Sequence, residues 1–290
     1  MSGPAVRVAA QAKVNLLLRV LAREASGYHQ IETLFLRIAL ADELVVRTGG
    51  RGRHVDSRGS DVGPMERNLA YRAAMALREA GGPDSFAIEI EKRIPVGAGL
   101  GGGSADAAAV LRALNACRPD PLPDDALLHL AAGLGADVPF LTSGAVMALA
   151  WGRGERMLAI APPPERPVAV VAPPFAVSTA DAYGWVDASG VPASRPRVWS
   201  TAELSGWAAL TALAHNDFQP LVSRRHPEVG ALVATLREAG AAPAMMTGSG
   251  SAVFGVFPHG APPSAAQLQQ AGRATLTSTA TTVAEVERLE

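Results

Sequence analysis

The sequence predicts an α+β fold in two lobes. Three observations point there. The chain has 290 residues, roughly two domains' worth at about 150 residues each. Apolar residues make up 48% and charged residues 18%, enough to bury a sizeable core and too apolar for a disordered chain. Strand-like and helix-like segments follow one another without the strict strand–helix–strand rhythm of a parallel sheet. The division between the lobes is expected between residues 150 and 160, giving units 1–155 and 156–290.

The elements are expected in this order. Val6 to Val20 reads as a strand, with Val14, Leu16, Leu18 and Val20 alternating against Asn15, Leu17 and Arg19. Ser26-Gly27-Tyr28-His29 is a turn. Ile31 to Leu40 is a second strand and Glu43 to Thr48 a third. Gly49 to Pro64 is polar and glycine-rich, which suits a surface loop. Asn68 to Ala80 is helical, with Leu69, Ala73, Ala76 and Leu77 on one face, and Gly81-Gly82-Pro83 ends it. Phe86 to Ile94 alternates as a strand. A glycine loop and helix follow, then a helix over Asp124 to Gly133 and a strand near Ala145 to Ala150. In the second half, the run VAVVA between proline clusters reads as a buried strand. Helices are expected near Thr201 to Leu213 and Pro227 to Ala239, and a second glycine turn spans Met246 to Ser251. A strand AVFGVF, a helix over Ser264 to Gly272 and a strand near Thr275 to Val283 complete the chain.

Composition narrows the function. The formal net charge is −1, so the footprint of a general nucleic-acid binder is missing and no nucleic-acid partner is expected. The single cysteine, Cys117, excludes an internal disulfide framework and any CxxC site. No apolar run approaches the ~20 residues of a membrane span, and Lys13 and Asn15 interrupt the first apolar stretch, unlike a signal peptide. A cytoplasmic setting without a membrane partner is expected. The six histidines show no metal spacing, so no protein-built metal site is expected. Only two of the 26 basic residues are lysines, Lys13 and Lys92. Where this arginine-rich chain keeps a lysine, a compact ammonium is the feature arginine lacks.

The most informative stretch is Pro95-Val96-Gly97-Ala98-Gly99-Leu100-Gly101-Gly102-Gly103-Ser104, between a strand and a helix whose Ala107, Val110, Leu111 and Leu114 share one face. Glycines allow positive φ and leave backbone N–H groups free to close around an anion. The helix start turns its unpaired N–H groups and positive dipole end to the same place. Phosphate binding is therefore expected. Ser104 either caps the helix or places its hydroxyl near a phosphate or Mg²⁺; Asp106 reads as a first-turn acid favoured by the dipole. Gly97, Gly99 and Gly102 also match G-x-G-x-x-G, but a proline segment and a helix stand where a dinucleotide fold needs its next strand and acid. No Walker A lysine follows the loop.

Lys13 lies inside an apolar strand, either as an edge lysine reaching for water or as a buried ammonium paired with a carboxylate or phosphate. Asp137, in LGADVPF, is either a helix cap or a functional acid. Tyr28-His29 is either a surface turn or an aromatic face beside a hydrogen-bonding ring, the pairing by which a base is held.

With AKVNLLLRV at 12–20, GYHQIETLF at 27–35, NLAYRAA at 68–74, the glycine loop and its helix at 95–115, LGADVPF at 134–140 and MTGSGSAVF at 246–254, the chain resembles the GHMP kinase superfamily. GYH and LGADVPF point within it to the branch acting on 4-diphosphocytidyl-2-C-methyl-D-erythritol. The resemblance implies a two-lobed fold with the active site in the interlobe cleft, and ATP and Mg²⁺ as cofactors. It implies that residues 95–104 hold the ATP phosphates, with Asn68 near the adenosine. Asp137 would accept the proton of the acceptor's 2-hydroxyl, paired with Lys13. Asn15 would orient the substrate, and Tyr28 and His29 would take the cytosine. Tyr183 would form the other side of a sandwich, with Trp185 as runner-up. Thr247, Gly248 and Gly250 would bring the second lobe's backbone to the substrate. The oligomeric state implied is monomer or homodimer.

Overall fold

The computed structural model describes residues 3–61, 63–189, 194, 197–258, 260 and 262–289. Its elements run β1 (Ala5–Arg23), β2 (His29–Thr48), β3 (Arg53–Arg58), α1 (Leu69–Glu79), β4 (Phe86–Glu91), α2 (Gly102–Ala116), α3 (Asp124–Ala132), α4 (Val138–Thr142), β5 (Met147–Gly152) and β6 (Arg156–Ile160). They continue with β7 (Pro167–Ala172), α5 (Thr179–Ala188), α6 (Trp207–Leu213), β8 (His215–Asn216), α7 (Gln219–Arg225), α8 (Pro227–Glu238), β9 (Ala244–Met246), β10 (Val253–Val256), α9 (Ala265–Leu268), β11 (Arg273–Ser278) and β12 (Val286–Leu289).

Two sheets organise them. The larger has the path β12-β1-β2-β4-β3, with β5 also on β2, β6 on β5 and β8 beside β1. The smaller runs β11-β7-β10-β9. The fold is the expected α+β arrangement in two lobes, and strands from both halves of the chain enter the larger sheet. The first core packs this sheet against α1, α2 and α4 through residues such as Val14, Leu36, Leu77, Val110 and Phe140. The second lies under α5, α7 and α8, with Ala182, Val222, Leu232 and Phe254's neighbour Val253.

The long hairpin β1–β2 decides where the site lies. Its ladder runs from Ala5 opposite Arg47 to Arg23 opposite His29, with register shifts between Gln11 and Lys13, Asn15 and Leu17, and Val20 and Ala22. Such irregularities bend a strand and re-aim its side chains, and here they bracket Lys13 and Asn15.

Three expectations about elements are corrected. Ile31–Leu40 and Glu43–Thr48 are one strand, β2, because Asp42 does not break it. Asp42 is fully buried, and its carboxylate accepts from Lys92 Nζ at 2.5 Å and from the backbone amides of Arg93 and Ile94. A buried acid with that many donors sits in a strand at little cost. The segment expected as a surface loop contains β3, parallel to β4 at the sheet edge. Its exposed His54, Asp56 and Arg58 hide the strand pattern, since edge strands carry charge. The helices α5 and α7 and the short strands β6, β8, β9 and β12 carry too few periods to stand out in sequence.

Candidate active site

The glycine loop joins β4 to α2, and Gly101, at the N-cap of α2, has φ +72°. Only glycine takes that conformation without strain. The first turn, Gly102-Gly103-Ser104, presents amides that a helix cannot pair internally, an arrangement able to take an anion. The loop is tied to the hairpin by Lys13 N donating to Leu100 O at 3.0 Å. It is tied to the second lobe by Ala252 N donating to Ala98 O at 3.0 Å. The two glycine-rich turns meet backbone to backbone: a Cβ at Gly99 would lie 2.3 Å from Thr247 O, and one at Gly248 would lie 2.9 Å from Gly99 O. Gly99 thus serves lobe contact as well as the loop's own turn. Gly99→Ala is expected to lower Tm by several degrees and kcat with it; an unchanged Tm would show that the turns separate freely.

A cleft of about 1570 Å³ opens between the lobes. Lys13, Asn15, Tyr28, His29, Asn68, residues 95–104, Asp137, Tyr183 and Gly248 all border it. Thr247 and Gly250, also expected at the substrate, stand behind its wall.

Lys13 is 3% exposed, and its Nζ lies 3.2 Å from the Asp137 carboxylate and 2.8 Å from Asn15 Oδ1. Asp137 occupies the N-cap position of α4, but its side chain makes no capping hydrogen bond. It turns instead to Lys13 and the cleft. The alternative of an ordinary cap is therefore not what the side chain does, and the edge-lysine alternative fails on burial.

Asn15 is spent on the protein. Its Oδ1 accepts from Lys13 Nζ, from Gly248 N at 3.0 Å and from Thr247 Oγ1 at 3.2 Å, while its Nδ2 donates to Thr33 Oγ1 at 2.8 Å. Thr247 Oγ1 also accepts from Asn15 N at 3.1 Å. Asn15 and Thr247 therefore lock the second lobe's turn onto Lys13. Asn68 uses its Oδ1 to cap α1, accepting from Ala70 N at 2.9 Å, while bordering the cleft.

The second lysine also has a buried place. Lys92 Nζ sits between Asp42 and Asp106, at 2.5 and 2.6 Å. A Cβ on Gly102 would lie 3.6 Å from that ammonium, so the trio supports the loop from beneath. Asp106 is a buried partner of Lys92 rather than a solvated first-turn acid. Burial is the main reason its carboxyl is pushed up to about 7; Lys92 opposes the shift and Asp42 adds to it.

At the far end of the cleft Tyr28 is 60% exposed, with the Arg153 guanidinium 4.0 Å over its ring. His29 is buried, and its Nε2 lies 2.7 Å from Asp187 Oδ1. That ring is the first cause of Asp187's carboxyl lying below the usual range. Tyr183 stacks on His29, centroids 4.6 Å apart and planes 16° from parallel, and meets Phe218 edge-on. No base fits between His29 and Tyr183 in this arrangement. Burial, with a contribution from the Asp137 charge, pushes the Tyr183 hydroxyl up to about 12, so it stays neutral. Trp185 does not border the cleft; it packs under Arg225 and beside His226. Among the described residues no group of three or more His, Cys, Asp or Glu is placed to hold a metal ion.

Sequence reading missed Asp42, Thr33, Asp187 and Arg37. Arg37 carried a usable signal, a charge inside an apolar strand, the same that marked Lys13.

A buried ammonium–carboxylate pair beside a glycine loop whose free amides can take an anion, in a cleft between two lobes, is the arrangement of a small-molecule kinase. Residues 68–149 match the model of the GHMP kinases N terminal domain, and residues 204–274 that of GHMP kinases C terminal. The 4-diphosphocytidyl-2-C-methyl-D-erythritol kinase of Pelotomaculum thermopropionicum is 42% identical, covering 85% of this chain and 87% of its own. That of Anaeromyxobacter sp. (strain K) is 43% identical, covering 91% and 85%. A crystal structure of 4-(cytidine 5'-diphospho)-2C-methyl-D-erythritol kinase superposes with TM-score 0.77 at 38% identity, covering 94% of this chain and 98% of that one. Homoserine kinase from Cytophaga hutchinsonii, at 17% identity and TM-score 0.64 over 97% of both chains, shares the fold. The chain belongs to the GHMP kinase family, and within it to the 4-diphosphocytidyl-2-C-methyl-D-erythritol kinases.

Proposed function

We propose that the cleft transfers the γ-phosphoryl group of ATP to the 2-hydroxyl of 4-diphosphocytidyl-2-C-methyl-D-erythritol, a step of non-mevalonate isoprenoid synthesis, with Asp137 and Lys13 at the reacting hydroxyl. The single observation that carries the reading is the Lys13–Asp137 pair at 3.2 Å, on the same cleft wall as the glycine loop. The loop amides and the α2 N-terminus hold the triphosphate, and Asn68 lies near the adenosine. The acceptor oxygen forms a bond to the γ-phosphorus as the bridging bond to ADP breaks, the leaving oxygen keeping the electron pair. Asp137 accepts the hydroxyl proton, and the Lys13 ammonium offsets the charge on the transferring group. Because phosphoryl transfer passes through a loose transition state, positioning and charge stabilisation carry most of the work. Mg²⁺, held chiefly through the phosphates, would neutralise their charge, and the Ser104 hydroxyl is the side-chain oxygen that the loop would offer it.

The cytosine stacks on the open face of Tyr28. His29, fixed by Asp187 and backed by Tyr183, reads its edge. Tyr183 then acts through His29, a change from the expected sandwich. Thr247 and Gly248 hold the second lobe's turn against Asn15, and Gly250 closes that turn by donating to Thr247 O at 3.1 Å. The enzyme is read as cytoplasmic and as a monomer or homodimer.

An ATP-dependent phosphorylation assay with the cytidyl substrate beside mevalonate and homoserine tests the reading; equal turnover of all three would sink it. Base stacking on an aromatic is worth about 1–3 kcal/mol, so Tyr28→Ala is expected to raise KM for the cytidyl substrate by roughly ten- to a hundredfold. The ATP KM should change little. An unchanged KM for the cytidyl substrate would remove Tyr28 from the subsite.

A further inference from the structure

The residue opposite Lys13 on the ladder is Arg37, on β2. Directly opposed residues of an antiparallel pair project from the same face, and both side chains reach α4. Arg37 is 1% exposed and has no carboxylate partner among the described residues. Its donors go to the backbone at the C-terminal end of α4. Nη2 donates to Phe140 O at 2.9 Å, Leu141 O at 3.0 Å and Ser143 O at 2.9 Å, and Nε donates to Ala145 O at 2.8 Å. The guanidinium also stands 5.1 Å from the centre of the Phe140 ring.

A guanidinium buried without a counter-ion is costly. Burial, with repulsion from Arg112, pulls this one down to about 9. A methionine would fill the volume without that penalty, so packing does not account for the residue. The fork does what methionine cannot. The carbonyls at the end of α4 have no backbone partners within so short a helix, although Phe140 O also accepts from the Ser143 hydroxyl at 2.7 Å, and a helix of five residues does not hold its own shape in water. Arg37 satisfies them with a rigid array of donors. The result is a helix pinned at both ends from one ladder position: Lys13 at the Asp137 carboxylate, Arg37 at the far carbonyls.

We propose that Arg37 is the positioning residue for Asp137: by gripping the carbonyl end of α4 it sets where the carboxylate stands relative to Lys13 and to the acceptor hydroxyl. The inference rests on the reading of Asp137 given above. Arg37 borders neither the glycine loop nor the cleft, so its influence runs through α4.

The test is a double-mutant cycle: Arg37→Met and Arg37→Lys, each in the wild-type and in the Asp137→Asn background, with kcat and both KM values measured. Displacing a reacting group by about 1 Å costs on the order of a hundredfold. Arg37→Met is therefore expected to lower kcat about ten- to a hundredfold, with ATP KM within about twofold, and Arg37→Lys to recover part of the loss. In the Asp137→Asn background, Arg37→Met should change the residual kcat by less than about twofold, because a residue acting through Asp137 has nothing left to position. Equal losses in both backgrounds, or an ATP KM rising in step with the fall in kcat, would overturn the inference. Should Arg37→Met fail to fold, Arg37→Lys is judged by the same comparison of backgrounds. If Asp137→Asn itself keeps normal kcat, the reading of Asp137 fails and this inference with it; if Asp137→Asn is crippled and the two losses multiply, Arg37 alone is wrongly placed.

Discussion

Asp137→Asn is expected to retain ATP binding and to lose on the order of 10²- to 10⁴-fold in kcat, the range that proton transfer by a positioned side chain contributes. At 1.36 kcal/mol per tenfold this is roughly 3–5 kcal/mol of transition-state stabilisation. Asparagine keeps the shape of the residue, so α4 and its packing should persist. What goes is the carboxylate's ability to take a proton, and with it the charge partner of Lys13 at 3.2 Å. ATP KM should move little, because the proposed phosphate site is the loop amides and not Asp137. A near-normal kcat would show that Asp137 is not the base. Lys13→Arg should also be damaging. Lys13 is buried among Asn15, Asp137 and the face of Phe35, and a planar fork does not replace a compact ammonium in that space.

The second large effect is expected at the glycine loop. Gly101→Val should raise the ATP KM by at least about tenfold and lower kcat as well. At φ +72° a side chain meets the left-handed penalty of about 1–2 kcal/mol, more for a β-branched residue. The Cβ would also point inward, 3.1 Å from the Lys13 chain and 3.4 Å from Leu141. The phosphate space is not what it would fill. The substitution therefore disturbs the proposed phosphate cradle by strain and Lys13 by contact, and both constants should move. If a folded Gly101→Val enzyme, with the circular dichroism of the parent, kept both constants, the loop would be a connector and not a cradle.

The glycine loop was legible in the sequence because its geometry is local: residues 97–103, a strand before and a helix after are contiguous, and no distant partner is needed to see the turn and the free amides of the helix start. Lys13 was legible for a compositional reason, as one of two lysines in a chain that otherwise uses arginine. Arg37 shared with Lys13 the signal of a charge inside an apolar strand, but as one arginine among many it had no compositional mark, and its role needs its carbonyl partners in view. Asn15, expected to orient the substrate, borders the cleft, and what the sequence did not show is that its amide also joins Lys13, Gly248, Thr247 and Thr33. Gly99 was understood as part of the loop, and its contact with the Thr247 carbonyl comes from the other lobe.

The sequence by itself determined the α+β class, the main helices, the long first strand and the glycine loop before α2, since periodicity and glycine spacing act over a few residues. Only the tertiary structure decided that Lys13 and Asp137 meet, that Asp42, Lys92 and Asp106 form one buried trio, that β1 and β2 form one long hairpin, and that His29 stands between Asp187 and Tyr183. The reason is physical. A buried charge or amide is tolerated only when its partners arrive in three dimensions, and those partners come from segments far apart in the chain, whose approach is set by the register of the β1–β2 hairpin and the packing of α4 and α5 against it.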